Sequence, residues 1–279
     1  MVETKKFGDI EFKIGQSLYF PKKYPILFVS NAKVACSTIK KSIWASSSPE
    51  TLLANSNPHD RISGPFENNL HTAKENVESV ANLTKFGISR NPYSRFLSAY
   101  RDKIDRPKPD PNVWRILSER YGFEKGSRPS MDHILECLLD DNPLQVDQHF
   151  ALQKNNLSIG LIDYDFIGNL EKFNEIERFL GDFGIQINSY TKHSTGSGQV
   201  ENFSEVLGRR TLDLIQRVYS EDFASFGYSL DPTYAAPVSS VAIDNVSESI
   251  LENLIDLATT KNPNARATIE GKISNLMGI

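Results

Sequence analysis

Cysteine is almost absent: Cys36 and Cys137 are the two in 279 residues. So few exclude a disulfide framework, and with no histidine–cysteine cluster beside them they exclude a zinc-finger pattern. Two reduced thiols remain, and a cytoplasmic protein is the expectation. No run approaches the ~20 apolar residues that cross a bilayer, so no transmembrane segment is expected. The opening residues, Met1 to Asp9, lack the apolar centre of a secretory signal. A dominant charge is also missing. A net charge of −4 gives no basic field able to track a nucleic-acid backbone, so no nucleic-acid partner is expected. Glycine-rich nucleotide signatures are absent as well. Without Gly-x-x-x-x-Gly-Lys-Ser/Thr an ordinary P-loop kinase is disfavoured. Without Gly-x-Gly-x-x-Gly after a strand, so is a dinucleotide dehydrogenase.

What the sequence does contain is a pair of anion-binding patterns. Ile26–Ser30 is a short apolar run bounded by Pro25 and Asn31, as expected of a buried strand. It leads into Lys33, Val34, Ala35, Cys36, Ser37 and Thr38 and then into a helix over Cys36–Ser46. Backbone N–H groups at a helix start favour anionic oxygens, and Lys33 adds a positive charge. Lys85–Ser89 reads as another strand, ending at Arg90, with Pro92 opening a helix that runs to Ile104. The planar fork of Arg90 suits a phosphate. Ser98 follows about two helical turns later and converges on the same anion if the helix folds back. Arg95, Arg101 and Lys103 read as the solvated face of that helix. Two anion sites, one after each strand, describe a ligand with phosphates at both ends of a nucleoside.

A third strand is expected at Phe166–Leu170, followed by a helix with an apolar stripe of Phe173, Ile176, Phe179, Leu180 and Phe183. Further helices are expected at Glu75–Leu83, at Met131–Asp140 with Ser130 as its cap, and at Glu205–Tyr219. The opening to Pro25, with Ile10, Phe12, Ile14 and then Leu18, Tyr19 and Phe20, alternates like an edge hairpin. Pro49–Asn69, Arg106–Asn112 and Thr191–Gln199 read as irregular. Strands followed by helices define an α/β domain with a mainly parallel central sheet flanked by helices. Ligands sit beyond the carboxyl ends of such strands, where Lys33 and Arg90 fall. Residues 1–230 form the main domain. Residues 231–279 are an extension whose amphipathic helix (Ile250, Leu251, Leu254, Ile255, Leu257) packs on the domain or on a second subunit of a homodimer.

Five segments in order resemble the carbohydrate sulfotransferase family (sulfotransferase family 2, with the chondroitin, HNK-1 and uronyl 2-O-sulfotransferases). Asn31 to Thr38 resembles the 5′-phosphosulfate loop, and Phe86 to Lys103 the 3′-phosphate motif with its Ser-Ala-Tyr-Arg-Asp-Lys ending. Asp147-Gln148-His149-Phe150 is similar to an Asp-x-His-Trp segment. Tyr164 to Glu171 resembles Tyr-Asp-Phe-Ile-Gly-x-x-Glu, and Tyr219 to Tyr228 the closing motif. Asn31 stands where proline is usual, and Asn91 where aspartate is usual.

The resemblance implies a P-loop-like three-layer fold and 3′-phosphoadenosine 5′-phosphosulfate (PAPS) as donor, with no metal. It implies a hydroxyl of a carbohydrate, glycolipid or glycosylated small molecule as acceptor. In that scheme Lys33 meets charge on the leaving oxygen, residues 34–38 hold the 5′ end, and Arg90 and Ser98 hold the 3′-phosphate. A histidine is the expected base, since its ordinary pKa of about 6.5 allows it to accept a proton near neutrality. His71, in the interval between the two phosphate segments, is the first candidate and His149 the second. His59, in a loop, and His133, beside core residues on a helix, read as bystanders, and His193 as a neighbour of the adenine. The alternatives are a catalytically inactive glycan- or nucleotide-binding module and a P-loop-like kinase.

Overall fold

The computed structural model describes residues 17–53, 56–60, 63–67, 70–76, 80–106, 110–124, 127–141, 146–187, 202–239, 241 and 248–277. Four strands, β1 (Leu18–Tyr19), β2 (Ile26–Val29), β3 (Thr84–Ser89) and β4 (Phe166–Asn169), form one sheet in the order β1-β2-β3-β4. β1 runs antiparallel to β2, and the other pairs are parallel, with Val29 opposite Gly87 and Ser89 opposite Asn169. Because side chains alternate along a strand, each face collects its own core. Ile26, Phe28, Phe86 and Ile88 face one way. There they meet Ile39 and Ile43 of α1 (Cys36–Ser47) and Ile176 and Leu180 of α7 (Phe173–Asp182). Leu27, Val29 and Ile167 face the other way, against Tyr93, Phe96 and Leu97 of α3 (Pro92–Lys103) and Leu214 and Ile215 of α8 (Arg209–Val218). With both faces covered, a near-continuous apolar strand such as Ile-Leu-Phe-Val has no solvent side to satisfy. The result is the expected three-layer α/β arrangement.

Two strand glycines make room for this packing. A Cβ on Gly87 would stand 2.8 Å from Leu157 Cδ2 on one face, and one on Gly168 would stand 2.6 Å from Ile176 Cγ1 on the other.

Several boundaries differ from the sequence reading. Helix α2 covers Leu70–Asn76 and is followed by a 3₁₀ turn at Val80–Asn82, not a helix over Glu75–Leu83. Its start follows burial of Leu70 and Ala73 in the core. The proline-rich stretch read as irregular through Asn112 instead ends in α4 (Pro111–Tyr121). Asp110 caps it by accepting from Asn112 N and Val113 N, and Pro111 sits at the first helical position, where its missing N–H costs nothing. α5 (Met131–Leu139) has Ser130 as its cap, as expected. The short helices α6 (Gln153–Asn156) and α9 (Ser220–Ser225) pack on each other. The helix read over Glu205–Tyr219 begins as a 3₁₀ turn at Phe203–Glu205 and becomes α8 at Arg209.

The expected extension helix is α10 (Glu248–Thr259), and α11 (Pro263–Met277) follows it. α10 lies on the domain itself, with Ile250, Leu251, Leu254, Ile255 and Leu257 in the same core as Leu70 and Ala73. Lys74 Nζ pairs with Asp256 Oδ1 across this contact at 2.6 Å. No helix among the described residues is long and apolar enough to cross a membrane. The opening alternation (Ile10, Phe12, Ile14) and Thr191–Gln199 lie outside the described residues.

Gly168→Ala is expected to lower stability by about 1–3 kcal/mol through overpacking against Ile176. The urea midpoint should fall with an unchanged m-value; an unchanged midpoint would show that Ile176 repacks freely.

Candidate functional site

Parallel pairing of β2 and β3 makes neighbours of the loops that leave their carboxyl ends. In the first loop, Lys33 and Ala35 adopt left-handed backbone angles (φ 68° and 63°), which non-glycine residues rarely hold without support. Support comes from the second loop. Arg95 Nε donates to Ala32 O, and Arg90 Nη1 donates to Lys33 O, each at 3.0 Å. A trans peptide sets its N–H opposite its C=O, so anchoring these carbonyls turns the N–H groups of Lys33 and Val34 away from the guanidiniums. Helix α1 then begins without a side-chain cap. Loop and helix start together form a concave run of donors suited to an anion.

Arg95 corrects the reading of a solvated face. It is 1 % exposed and also donates from Nη1 to Ala151 O (2.7 Å) and from Nη2 to Gln148 O (3.0 Å). Basic residues usually stay in water, but a guanidinium has enough donors to replace its hydration with backbone carbonyls. Arg90 is more open to its loop, with Nε donating to Ser94 Oγ at 2.9 Å. Its backbone is bracketed by Gln153, which accepts from Arg90 N (2.9 Å) and donates to Arg90 O (2.8 Å). Burial pulls the Arg90 guanidinium below its ordinary value, and Glu171 opposes that pull. Ser98 is buried one turn beyond Ser94 on α3.

The unusual asparagines have visible jobs. Asn31 Nδ2 donates to Ile88 O (3.2 Å) and Gln153 Oε1 (3.1 Å), while its Oδ1 accepts from Asn156 Nδ2 (3.1 Å). Asn91 caps α3 through Tyr93 N and donates from Nδ2 to Tyr234 O and Ala235 O. An aspartate could cap but not donate. Glu171 accepts from Asn91 N (2.9 Å) and Tyr228 Oη (2.6 Å), and burial raises its carboxyl. Asp222, fully buried, accepts from Gln153 N (2.8 Å) and Lys154 N (2.9 Å).

The positive charge that Lys33 brings to the first loop is paired. Its Nζ lies 3.2 Å from Asp102 Oδ2, and its side chain is 8 % exposed. Burial lowers its pKa, and Asp102 offsets part of the effect. Burial alone would raise Asp102, but Lys33 and Lys103 hold its carboxyl below the ordinary value. Lys103 also reaches Asp110 at 2.9 Å, so it belongs to this charge network; Arg101 is exposed.

Among the histidines, His149 Nδ1 is 2.7 Å from Asp147 Oδ1. Burial opposes ionisation of Asp147, but its bonds to His149 and the nearby charges hold it below the ordinary carboxylate value. An ionised Asp147 fixes a proton on Nδ1 and so orients the ring, with Nε2 as the nitrogen not engaged by the carboxylate. His59, read as a bystander, instead reaches the first loop: Nε2 is 3.2 Å from Ser37 Oγ and Nδ1 is 3.1 Å from Lys40 Nζ. Packing around the ring and the charges of Lys40, His149 and Lys103 push His59 down to about 4, although the residue as a whole is exposed. Loop residues without periodicity gave no signal for this contact. His133 is exposed on α5, edge-on to Phe123. His71 is the second residue of α2; its side chain, and all of His193, lie outside the described residues. Among the described residues no group of three metal-ligating side chains gathers.

These segments coincide with a known family. Residues 16–229 match the profile described as "Sulfotransferase family", so the chain belongs to the sulfotransferase family. Its curated relatives include carbohydrate sulfotransferase 12 of Xenopus laevis, 22% identical over 273 residues, covering 81% of this chain and 63% of the relative. Carbohydrate sulfotransferase 9 of Homo sapiens is 24% identical over 253 residues, covering 81% and 57%. Carbohydrate sulfotransferase 8 of Mus musculus is 29% identical over 113 residues, covering 37% and 27%. The chain thus spans less than two thirds of the length of these relatives. No solved structure matches it significantly.

Arg95→Lys should destabilise the fold by about 1–3 kcal/mol for each carbonyl left unsatisfied. A lysine presents one nitrogen where Nε, Nη1 and Nη2 now serve three separate oxygens. Chemical denaturation with the urea midpoint unmoved would refute the clamp.

Proposed function

We propose that the chain is a sulfotransferase that moves the sulfuryl group of PAPS to a hydroxyl of a carbohydrate or glycosylated acceptor. The observation that carries the reading is the bond from Arg90 Nη1 to Lys33 O, which joins the two basic loops at one sheet edge. The donor set fits: a loop of outward N–H groups for one anionic end, and a guanidinium at a strand end for the other. When bound, the donor supplies an activated sulfuryl group on its 5′-phosphate. In this reading the backbone N–H groups of Val34 to Thr38 and the Ser37 hydroxyl bind the 5′ end, and Arg90 and Ser98 bind the 3′-phosphate.

Lys33 holds negative charge that develops on the departing bridging oxygen, and Asp102 stores the ammonium until an anion competes for it. Sulfuryl transfer is an in-line displacement, so positioning and preorganised charge dominate the rate, as in phosphoryl transfer. For the acceptor proton, the described geometry supports His149, because Asp147 holds its Nδ1 and leaves Nε2 as the nitrogen free to exchange a proton; His71, from the interval between the loops, is the second candidate. A carbohydrate acceptor is inferred from the relatives' names.

Transfer of labelled sulfate to a panel of glycans tests the activity directly. Lys33→Ala should lower kcat by about 10²–10³, the scale set by losing one oxyanion-stabilising donor, and undiminished turnover would remove Lys33 from the chemistry. Arg90→Ala should weaken calorimetric binding of 3′-phosphoadenosine 5′-phosphate at least tenfold. Displacement of that ligand by ATP with equal affinity would favour the kinase reading.

His149→Ala is expected to lose about 10²–10⁴ in kcat, the usual range for a general base, while nucleotide affinity is kept. If His71→Ala shows that loss and His149→Ala does not, the base is His71.

A further inference from the structure

Lys40 and His59, which adjoin Ser37, are left unexplained by the proposed chemistry. Lys40 is 1 % exposed. Its Nζ stands over the Tyr19 ring, 3.7 Å from the centroid, and 3.1 Å from His59 Nδ1. An ammonium has donors only, so His59 Nδ1 must present its lone pair. The ring proton is therefore on Nε2, which is 3.2 Å from Ser37 Oγ. Ser37 Oγ accepts a hydrogen bond from Nε2–H, and its own hydroxyl hydrogen is left to point elsewhere. Each bond in the series Lys40 to His59 to Ser37 runs in one direction.

We propose that His59 is a positioning residue of the donor site: its neutral imidazole passes the buried charge of Lys40 to Ser37 and commits that hydroxyl to donate to an anion. This rests on the donor reading of residues 33–38. The opposite tautomer would set two donors face to face against Lys40. The imidazolium is disfavoured by packing around the ring and by the positive Lys40 on α1 and Lys103 on α3, with the titratable His149 after α5 alongside. The backbone of His59 is held from its own side, its main-chain N–H donating to Asn57 Oδ1 at 3.0 Å. A short turn in the 49–69 segment thereby orients a hydroxyl across the structure.

A double-mutant cycle tests the relay, read by calorimetric affinity for 3′-phosphoadenosine 5′-phosphate. His59→Ala and Ser37→Ala should each weaken binding about fivefold, with a larger effect on the donor KM than on kcat. The double variant should lose no more than either single one, because the second change removes a group already disconnected. His59→Gln, which can accept at one atom and donate at another, should recover part of the loss. Lys40→Met supplies an independent arm. Wild-type affinity should not vary through His59 between pH 5.5 and 8. In the variant the packing around His59 stays but one positive neighbour is lost, so the ring titrates at a higher pH than in the wild type and acidification tightens binding sooner.

Additive losses in the cycle, or a Lys40→Met variant with the wild-type pH profile, would overturn the relay while leaving the donor reading intact. Failure of the wild-type chain to bind the nucleotide would overturn both.

Discussion

Carbonyls held by arginine organise this end of the molecule. Arg90 and Arg95 leave the β3–α3 connection and grasp the backbone of the β2–α1 connection at Lys33 O and Ala32 O. Burying a guanidinium costs several kcal/mol, but hydrogen bonds to a charged donor contribute about 1.5–3 kcal/mol each. Three bonds from Arg95 are therefore of the size needed to offset its burial. The same bonds support left-handed backbone at Lys33 and Ala35 and aim the intervening N–H groups outward. Without them the loop would lose its concave shape, and the two halves of the site would lose their shared wall.

The surrounding motif residues act as braces for that wall. Gln153 grips both backbone groups of Arg90 and also meets Asn31, while Asp222 holds the start of the helix that carries Gln153. Tyr219 Oη donates to Phe150 O at 2.8 Å, and Tyr228 Oη reaches both Glu171 and Asn169. Segments far apart in sequence thus converge on one sheet edge because each supplies a partner that the others leave unsatisfied. In a buried, low-dielectric setting an orphaned polar group is costly, so such networks are specific when complete.

Much of this was legible from local pattern. The strands β2, β3 and β4, the start of α3 at Pro92 and the cap at Ser130 follow from apolar runs and helix-start chemistry, which depend on near neighbours. Helix α4 was hidden by the prolines before it, since Pro111 starts a helix as readily as it breaks one. The type-based reading failed for Arg95, because its three acceptors come from residues 32, 148 and 151. Lys33 was recognised as a site residue, but its pairing with Asp102 crosses 69 positions and has no local signature. His59 carried no periodic signal at all.

The sequence by itself determined the parallel strands β2, β3 and β4, the helices that follow them, and the two basic connections between. Alternation, capping and proline placement act over a few residues, so they are written locally. Tertiary structure alone decided which charges are buried, which are paired, and which way the hydrogen bonds run. A carbonyl, a carboxylate or an imidazole selects its partner through space, and water is excluded there only once the sheet and helices have packed.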